Sequence, residues 1–142
     1  MWKKVIVGIV ILIVVGIVAG IYLYQKPPKD YTKEKAVFFL NAESLVTSFN
    51  NNEIAANEKY LGEMIEVRGS VVNIKMETDN SVFMTLHDPF DGITCTYEKK
   101  EQLPEWITSQ KVRPGDMVTI KGRCDGKLDD VRLTHCALVS VE

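Results

Sequence analysis

A run of uncharged residues near the N-terminus constrains the fold of this chain more than any other feature. Val5–Tyr24 contains no Asp, Glu, Lys or Arg and consists largely of Val, Ile and Gly. At a rise of about 1.5 Å per residue, a helix of this length crosses a hydrocarbon core of about 30 Å. The sequence therefore predicts an N-terminal transmembrane anchor over residues 1–24, so that any domain folded in water must follow it.

A cleaved secretory signal is the alternative interpretation of the same segment. Val18-Ala19-Gly20 offers a cleavage site made of small residues. However, the apolar run is longer than the roughly 7 to 15 residues of a signal-peptide core, and Tyr22 and Tyr24 are typical of the membrane interface. An uncleaved anchor is therefore preferred.

The orientation and self-association of this helix follow less directly. Lys3 and Lys4 precede the span and four lysines between positions 26 and 35 follow it, a count that by itself would place the C-terminus inside. However, a short N-terminal tail followed by one span and a whole domain is the usual layout of a signal anchor, and long domains are translocated largely regardless of charge. We therefore expect a cytoplasmic N-terminus and an extracytoplasmic domain. Gly16-x-x-x-Gly20 matches a small-residue packing motif that would allow a homodimer, although glycine is common in membrane helices generally.

A short linker and a helical segment are expected after the anchor. Pro27-Pro28 ends the span and stiffens a linker over residues 25–33. Between residues 34 and 62 the apolar positions recur at steps of three and four, which predicts helix packed on the domain that follows. Gly62 is expected to end this segment as a glycine cap. The first apolar positions are Val37, Phe38, Leu40, Ala42, Leu45, Val46 and Phe49.

Residues 63–142 show the alternation of β-strands. Ile65 and Val67 fall on one parity and Glu66 and Arg68 on the other, as in a half-buried strand. The apolar parity changes near Val71-Val72, which predicts a β-bulge or a bend. Further strands are predicted over 81–86, 93–97, 117–124 and 131–141, with a short helix over 99–111.

Three strands, a helix and two more strands describe a five-stranded OB barrel. The predicted fold class is thus an all-β core with flanking helices. It comprises a five-stranded OB-fold barrel over residues 63–142, preceded by an N-terminal helix and a single transmembrane helix.

The order of several motifs resembles a known family. Residues 52–62 read Asn-Glu-x-x-Ala-x-x-x-Tyr-x-Gly, residues 115–124 read Gly-Asp-x-Val-x-Ile-x-Gly-x-Cys, and residues 133–136 read Leu-x-x-Cys. Together they resemble the bacterial tRNA_anti-like OB-fold family. The resemblance implies an OB-fold module, often on secreted or membrane-anchored chains and of largely unassigned role. The family name is no evidence of tRNA binding.

Three cysteines leave two interpretations open. Outside the cytoplasm, Cys124 and Cys136 could join the fourth and fifth strands as a disulfide and leave Cys95 free. Alternatively, all three are buried thiols that act as small hydrophobic side chains. His135 beside Cys136 does not complete the four ligands of a structural zinc site, so we expect neither a metal nor another cofactor.

A candidate binding face combines aromatic and basic side chains, because OB surfaces bind single strands by stacking bases beside a positive groove. Core packing or a solvated surface explains each of these residues more simply. The candidates are Arg68, Lys75, Phe83, Phe90 and Lys121.

Charge argues against nucleic acid as the ligand. Lys3 and Lys4 are the only charged residues before position 25, so the remaining 15 basic and 19 acidic residues give the rest of the chain a net charge near −4. That balance provides no strong attraction to a polyanion. No catalytic motif is present either. We therefore predict a non-enzymatic binding or assembly module of the cell envelope with a protein partner; a single-stranded nucleic-acid-binding OB domain is the alternative.

The predicted topology can be tested with protease. Protease added to spheroplasts should digest the domain after residue 33, and the mature protein should retain Met1 or Trp2 at its N-terminus. A domain that is cut only after lysis, or an N-terminus near Ile21, would contradict the uncleaved anchor.

Overall fold

The computed structural model describes residues 1–24, 33–97, 105–109 and 111–142. Contacts divide the chain into two units, Met1–Asp30 and Tyr31–Glu142. The first contains helix α1, Trp2–Tyr24, within which Lys4–Tyr22 is long and apolar enough to span a membrane. The predicted linker lies outside the described residues except at position 33.

The second unit is built on a closed five-stranded barrel. Its strands follow the order β2-β3-β4-β6-β5, and β5 pairs back onto β2. Strands β4 and β6 are parallel, and the other barrel pairs are antiparallel. This confirms the predicted OB barrel. The strands are β2 Met64–Met76, β3 Val82–Leu86, β4 Ile93–Tyr97, β5 Met117–Lys127 and β6 Val131–Val141.

Strand β2 bends in the middle, as its change of parity predicts. Residues Met64 to Ser70 pair with β5, whereas Val71 to Met76 pair with β3. The register shifts between Val71 and Asn73, which is the expected β-bulge. One strand can therefore serve two neighbours on different sides of the barrel.

An additional strand replaces the start of the predicted helical segment. Phe38–Asn41 forms β1, which pairs in parallel with Ile65 to Arg68 of β2. The helix prediction over these residues is wrong, and the bulge supplies the physical reason. Because β3 pairs with β2 only from Val71 onward, the preceding edge of β2 would otherwise leave its backbone groups unpaired. β1 provides those partners.

Two helices follow β1, α2 over Ala42–Asn51 and α3 over Glu53–Tyr60. The side chain of Asn52 caps α3, because its Oδ1 accepts a hydrogen bond from the backbone N–H of Ala55 at 3.1 Å. Gly62 follows with φ of 82°, a conformation that glycine adopts without a Cβ penalty. The segment ends at this glycine as predicted, but Gly62 does not cap the helix. The C-cap of α3 is Leu61, and Gly62 lies in a turn closed by the hydrogen bond from the Glu63 N–H to the Tyr60 carbonyl at 3.0 Å.

The short helix between the third and fourth barrel strands is observed in part. Helix α4 covers Glu105–Thr108, whereas Ser109 lies in a turn and Lys111 in no regular element, so the helix is shorter than predicted at this end. The predicted positions 99–104 and 110 lie outside the described residues. Trp106 packs edge-on against Tyr97 with ring centroids 4.8 Å apart. The helix is therefore attached to the end of β4.

The structure does not contain the predicted Cys124–Cys136 disulfide. Cys95, Cys124 and Cys136 are all free and buried. Cys124 lies opposite Leu133 in the β5–β6 pair, and a register shift separates that pair from Cys136. The sequence shows two cysteines on neighbouring strands, but the register decides which sulfurs meet, and it does not place these two opposite each other.

Candidate functional site

An open cleft of about 600 Å³ lies on the outer surface of the barrel. Its floor is formed by strands β3, β4 and β6, and its sides by helix α3 and the β5–β6 hairpin. We call it the outer cleft. It is lined by Asn57, Leu61, Phe83, Thr94, Thr96, Asp125, Gly126, Lys127, Leu128, Asp130, Arg132 and Thr134.

The floor of the outer cleft is a set of outward side chains brought into rows by strand register. Phe83 of β3 lies opposite Thr96 of β4 and, on its other side, opposite Lys75 of β2. Thr94 of β4 lies opposite Arg132 of β6. The intervening residues of these strands are buried in the barrel, so alternation alone turns this set outward. The result is one aromatic ring among hydroxyl and guanidinium groups.

Apolar side chains stand at the edge of the cleft. Leu61 follows α3 and Leu128 occupies the turn between β5 and β6, and these side chains are 53% and 71% exposed. The amide oxygen of Asn57 is buried without a hydrogen-bond partner among the described residues. A buried acceptor of this kind is costly unless a water or a ligand donates to it.

The two carboxylates of the cleft are already hydrogen-bonded. Asp130 accepts a hydrogen bond from the Thr94 hydroxyl, and Asp125 accepts one from the Thr134 hydroxyl at 2.8 Å. Arg123 also approaches Asp125 at 4.0 Å. These bonds fix the β5–β6 hairpin over the sheet, so the wall of the cleft is held in place by side chains of its floor.

Lys127 holds the hairpin to two other segments. Its Nζ donates to Asp91 Oδ1 at 2.5 Å and to Asn50 Oδ1, while Asn50 Nδ2 donates to Asp91 Oδ2 at 2.6 Å. The Lys127 side chain is only 14% exposed. Hydrogen bonds from Lys127 and Asn50 lower the pKa of Asp91 below its ordinary value. This network links the end of α2, the β3–β4 loop and the hairpin.

Arg132 is the basic group of the cleft that remains available. It is exposed, and within the described ranges it makes no ion pair or side-chain hydrogen bond. The ionisable lining residues are Asp125 and Asp130 against Lys127 and Arg132, so their formal charges cancel. The outer cleft therefore offers one free guanidinium in a surface without net charge.

The five residues of the predicted binding face do not form one surface in the structure. Phe83 lines the outer cleft and Lys75 lies beside it, paired with Glu77 at 2.8 Å. Arg68 forms an ion pair with Glu142, while Lys121 lies on β5 opposite Glu66. Phe90 is 90% exposed in the β3–β4 loop.

Sequence reasoning missed Thr94, Thr96, Arg132 and Thr134 as lining residues. Their outward parity is visible in the sequence, but their common surface depends on the parallel pairing of β4 with β6. No group of three or more His, Cys, Asp or Glu side chains suited to a metal ion occurs in the described part of the chain.

The barrel and its outer cleft define an OB-fold protein. The chain matches the tRNA_anti-like family model over residues 1–138 and belongs to that family. No curated protein sequence matches the chain at a significant level.

Comparison with solved structures supports the same fold. A lipoprotein of Klebsiella pneumoniae, provisionally assigned to nucleic-acid binding, is 18% identical with a TM-score of 0.56, and the match covers 81% of this chain and 100% of that one. An asparaginyl-tRNA synthetase of Entamoeba histolytica is 14% identical with a TM-score of 0.42, covering 57% of this chain and 20% of that one. An aspartyl-tRNA synthetase of the same organism is 18% identical with a TM-score of 0.45, and the match covers 83% of this chain and 24% of that one. The two synthetase scores are too low to carry an argument.

The Lys127 network predicts a measurable loss of stability. Lys127→Met should lower the free energy of unfolding by about 1 kcal/mol, because it removes the hydrogen bonds that the largely buried Lys127 side chain donates to Asp91 and Asn50, whose own exposure to solvent limits the loss. Lys75→Met is the matched control, because the Lys75–Glu77 ion pair is exposed and screened by solvent, so its loss should be smaller. Urea unfolding of the full chain in detergent measures both. Equal losses for the two variants would show that the network does not stabilise the hairpin.

The same network predicts a pH dependence. The pKa of Asp91 is lower in the folded state than in the unfolded state. The stability that Asp91 contributes is therefore fully present above its unfolded pKa of about 4, and it is lost as the pH falls through its folded pKa. The stability difference between wild type and Asp91→Asn should therefore be full at pH 7 and shrink below pH 4. Unfolding measured across that range checks the sign.

Proposed function

We propose that this protein is a membrane-anchored OB module of the cell envelope that binds its ligand in the outer cleft without catalysing a reaction. The observation that carries the proposal is the position of the cleft. OB barrels take ligands on the face of their second and third strands, beside the loop between the fourth and fifth. Here those elements are β3, β4 and the β5–β6 hairpin, and the cleft lies on them.

The anchor supports a location at a membrane. Helix α1 is long and apolar enough to span a bilayer, and it is followed by a whole folded domain, as in a signal anchor. We place the N-terminus in the cytoplasm and the barrel outside it. The Klebsiella protein, a lipoprotein, is an example of the same fold on a chain attached to a membrane.

The chemistry of the cleft supports binding rather than catalysis. Asp125 and Asp130 both accept hydrogen bonds from threonines of the floor, so neither is poised as a free base. Neither His87 nor His135 is among the lining residues, and the lining set contains no serine or cysteine nucleophile. A partner that presents an apolar group to Phe83 and Leu128 and an acceptor to Arg132 fits these groups. We infer a protein segment, consistent with an assembly role.

Site-specific photo-crosslinking in intact cells tests the cleft. A photoreactive residue at Thr96, inside the cleft, should give a discrete adduct that Arg132→Glu removes. The same residue at Thr119, an outward threonine of β5 away from the cleft, is the matched control. Adducts that form equally at both positions, or that survive Arg132→Glu, would contradict a ligand site in the outer cleft.

Single-stranded nucleic acid is the second candidate ligand. The provisional assignment of the Klebsiella protein, the exposed face of Phe83 and the free Arg132 favour it. Against it, the ionisable groups of the cleft cancel, and phosphate neutralisation supplies most of the affinity in non-specific binding.

We expect binding of mixed-sequence RNA or DNA no tighter than about 10⁻⁴ M at physiological salt. Fluorescence anisotropy with the detergent-solubilised chain measures it. Micromolar binding that is lost in both Phe83→Ala and Arg132→Glu, but kept in Arg68→Glu, would establish the nucleic-acid function instead.

A further inference from the structure

A bulge in β6 determines where Cys136 points. Val131 and Leu133 are fully buried, so position 135 is the next inward position on their parity. His135 instead adopts φ of 50°, a left-handed conformation that is uncommon for a residue with a Cβ, and the β5–β6 register shifts between Lys121 and Arg123. Because of this extra residue, Cys136 instead of His135 faces the interior, and it is 9% exposed.

Gly122 leaves the space that the Cys136 sulfur occupies. A Cβ built at Gly122 would lie 2.8 Å from Cys136 Sγ and 3.2 Å from Leu133 Cβ. Real side chains do not approach this closely, so any larger residue at 122 would displace the thiol. The bulge and the glycine together direct Cys136 into the interior rather than along the surface of the sheet.

The sulfur of Cys136 is directed toward Cys95. It lies 3.4 Å from the backbone oxygen of Leu133, and Leu133 is the residue that pairs with Cys95 across the parallel β4–β6 strands. Both thiols are buried in the same hydrophobic core, and Cys95 is close enough to the Cys136 thiol to raise its pKa. Cys124 has a different environment, because it lies opposite Leu133 on β5, and burial is the main cause of the raised pKa of its thiol.

We propose that Cys95 and Cys136 form the disulfide of this protein in an oxidising compartment, and that Cys124 remains a thiol. The bond would join β4 to β6, the strand pair that closes the barrel. Its formation removes two protons and two electrons from the two thiols. The electrons reduce a disulfide-bearing oxidant, which leaves as a dithiol.

Burial determines when this reaction occurs. The thiolate is the attacking species, and burial together with the neighbouring Cys95 raises the pKa of the Cys136 thiol. Because both thiols are also buried in the folded domain, oxidation is slower in the closed barrel than while the domain is still folding. The pairing depends on the register of the barrel and not on the ligand of the outer cleft.

Trypsin separates the three cysteines, which makes the pairing directly measurable. Cleavage after Lys75, Lys99, Arg123, Lys127 and Arg132 places Cys95 in fragment 76–99, Cys124 in 124–127 and Cys136 in 133–142. The full-length protein is reduced and unfolded, refolded in detergent with oxidised and reduced glutathione, and alkylated. Non-reducing digestion and mass spectrometry then identify the linked fragments.

We expect fragment 76–99 linked to 133–142, with Cys124 alkylated. Fragment 124–127 linked to 133–142, or alkylation of all three thiols, would overturn the proposal. Cys124→Ala is the matched control, because it removes an equally buried thiol and should keep the link. Reduction should lower Tm by at least about 5 °C in wild type and Cys124→Ala, and should leave the Tm of Cys95→Ala unchanged. A Tm of Cys95→Ala that still falls on reduction would contradict the pairing.

Discussion

The bend in strand β2 is the constraint on which the rest of the domain depends. Its first half pairs with β1 and β5 and its second half with β3, and the bulge between Val71 and Asn73 separates the two sets of partners. The barrel closes because one strand turns from one side to the other. Gly69 lies just before this bend, where an added Cβ would come within 2.8 Å of Ala42 Cβ, so helix α2 packs directly onto the bent strand. The bend thus fixes both the closure of the barrel and the position of its helices.

Much of the fold can be predicted from local periodicity, and its exceptions have a common cause. Alternation in β2 to β6 depends on residues close in sequence, and it identified the strands and the bulge near Val71. The spacing of Phe38, Leu40 and Ala42 fits a strand as well as it fits a helix. Strand β1 could therefore be recognised only by knowing that the edge of β2 needs a partner. The prediction that Cys124 pairs with Cys136 has a similar limit, because it rests on strand adjacency without the register. The register shifts at His135, where the backbone is left-handed. No glycine or other typical turn residue at this position predicts the shift from the sequence.

The candidate site was predictable only in part. Phe83 could be selected because an aromatic residue on the outward parity of a strand is uncommon enough to notice. Thr96 lies opposite Phe83 in the β3–β4 pair, but Arg132, which is also outward, shares their surface only because β6 lies next to β4. That adjacency joins strands distant in sequence, and it depends on how the barrel closes. Charges such as Arg68 were selected by type alone, whereas the structure pairs Arg68 with Glu142.

The position of β6 also determines the order in which the domain can be assembled. It is synthesised after the other four barrel strands, yet it pairs with both β4 and β5. Until it arrives, each of those two strands presents an open edge whose backbone groups can pair with another chain. Contacts between distant segments form slowly, so this interval is extended in a nascent polypeptide. A chain halted before position 131 would therefore be a substrate for chaperones and proteases rather than a smaller working domain.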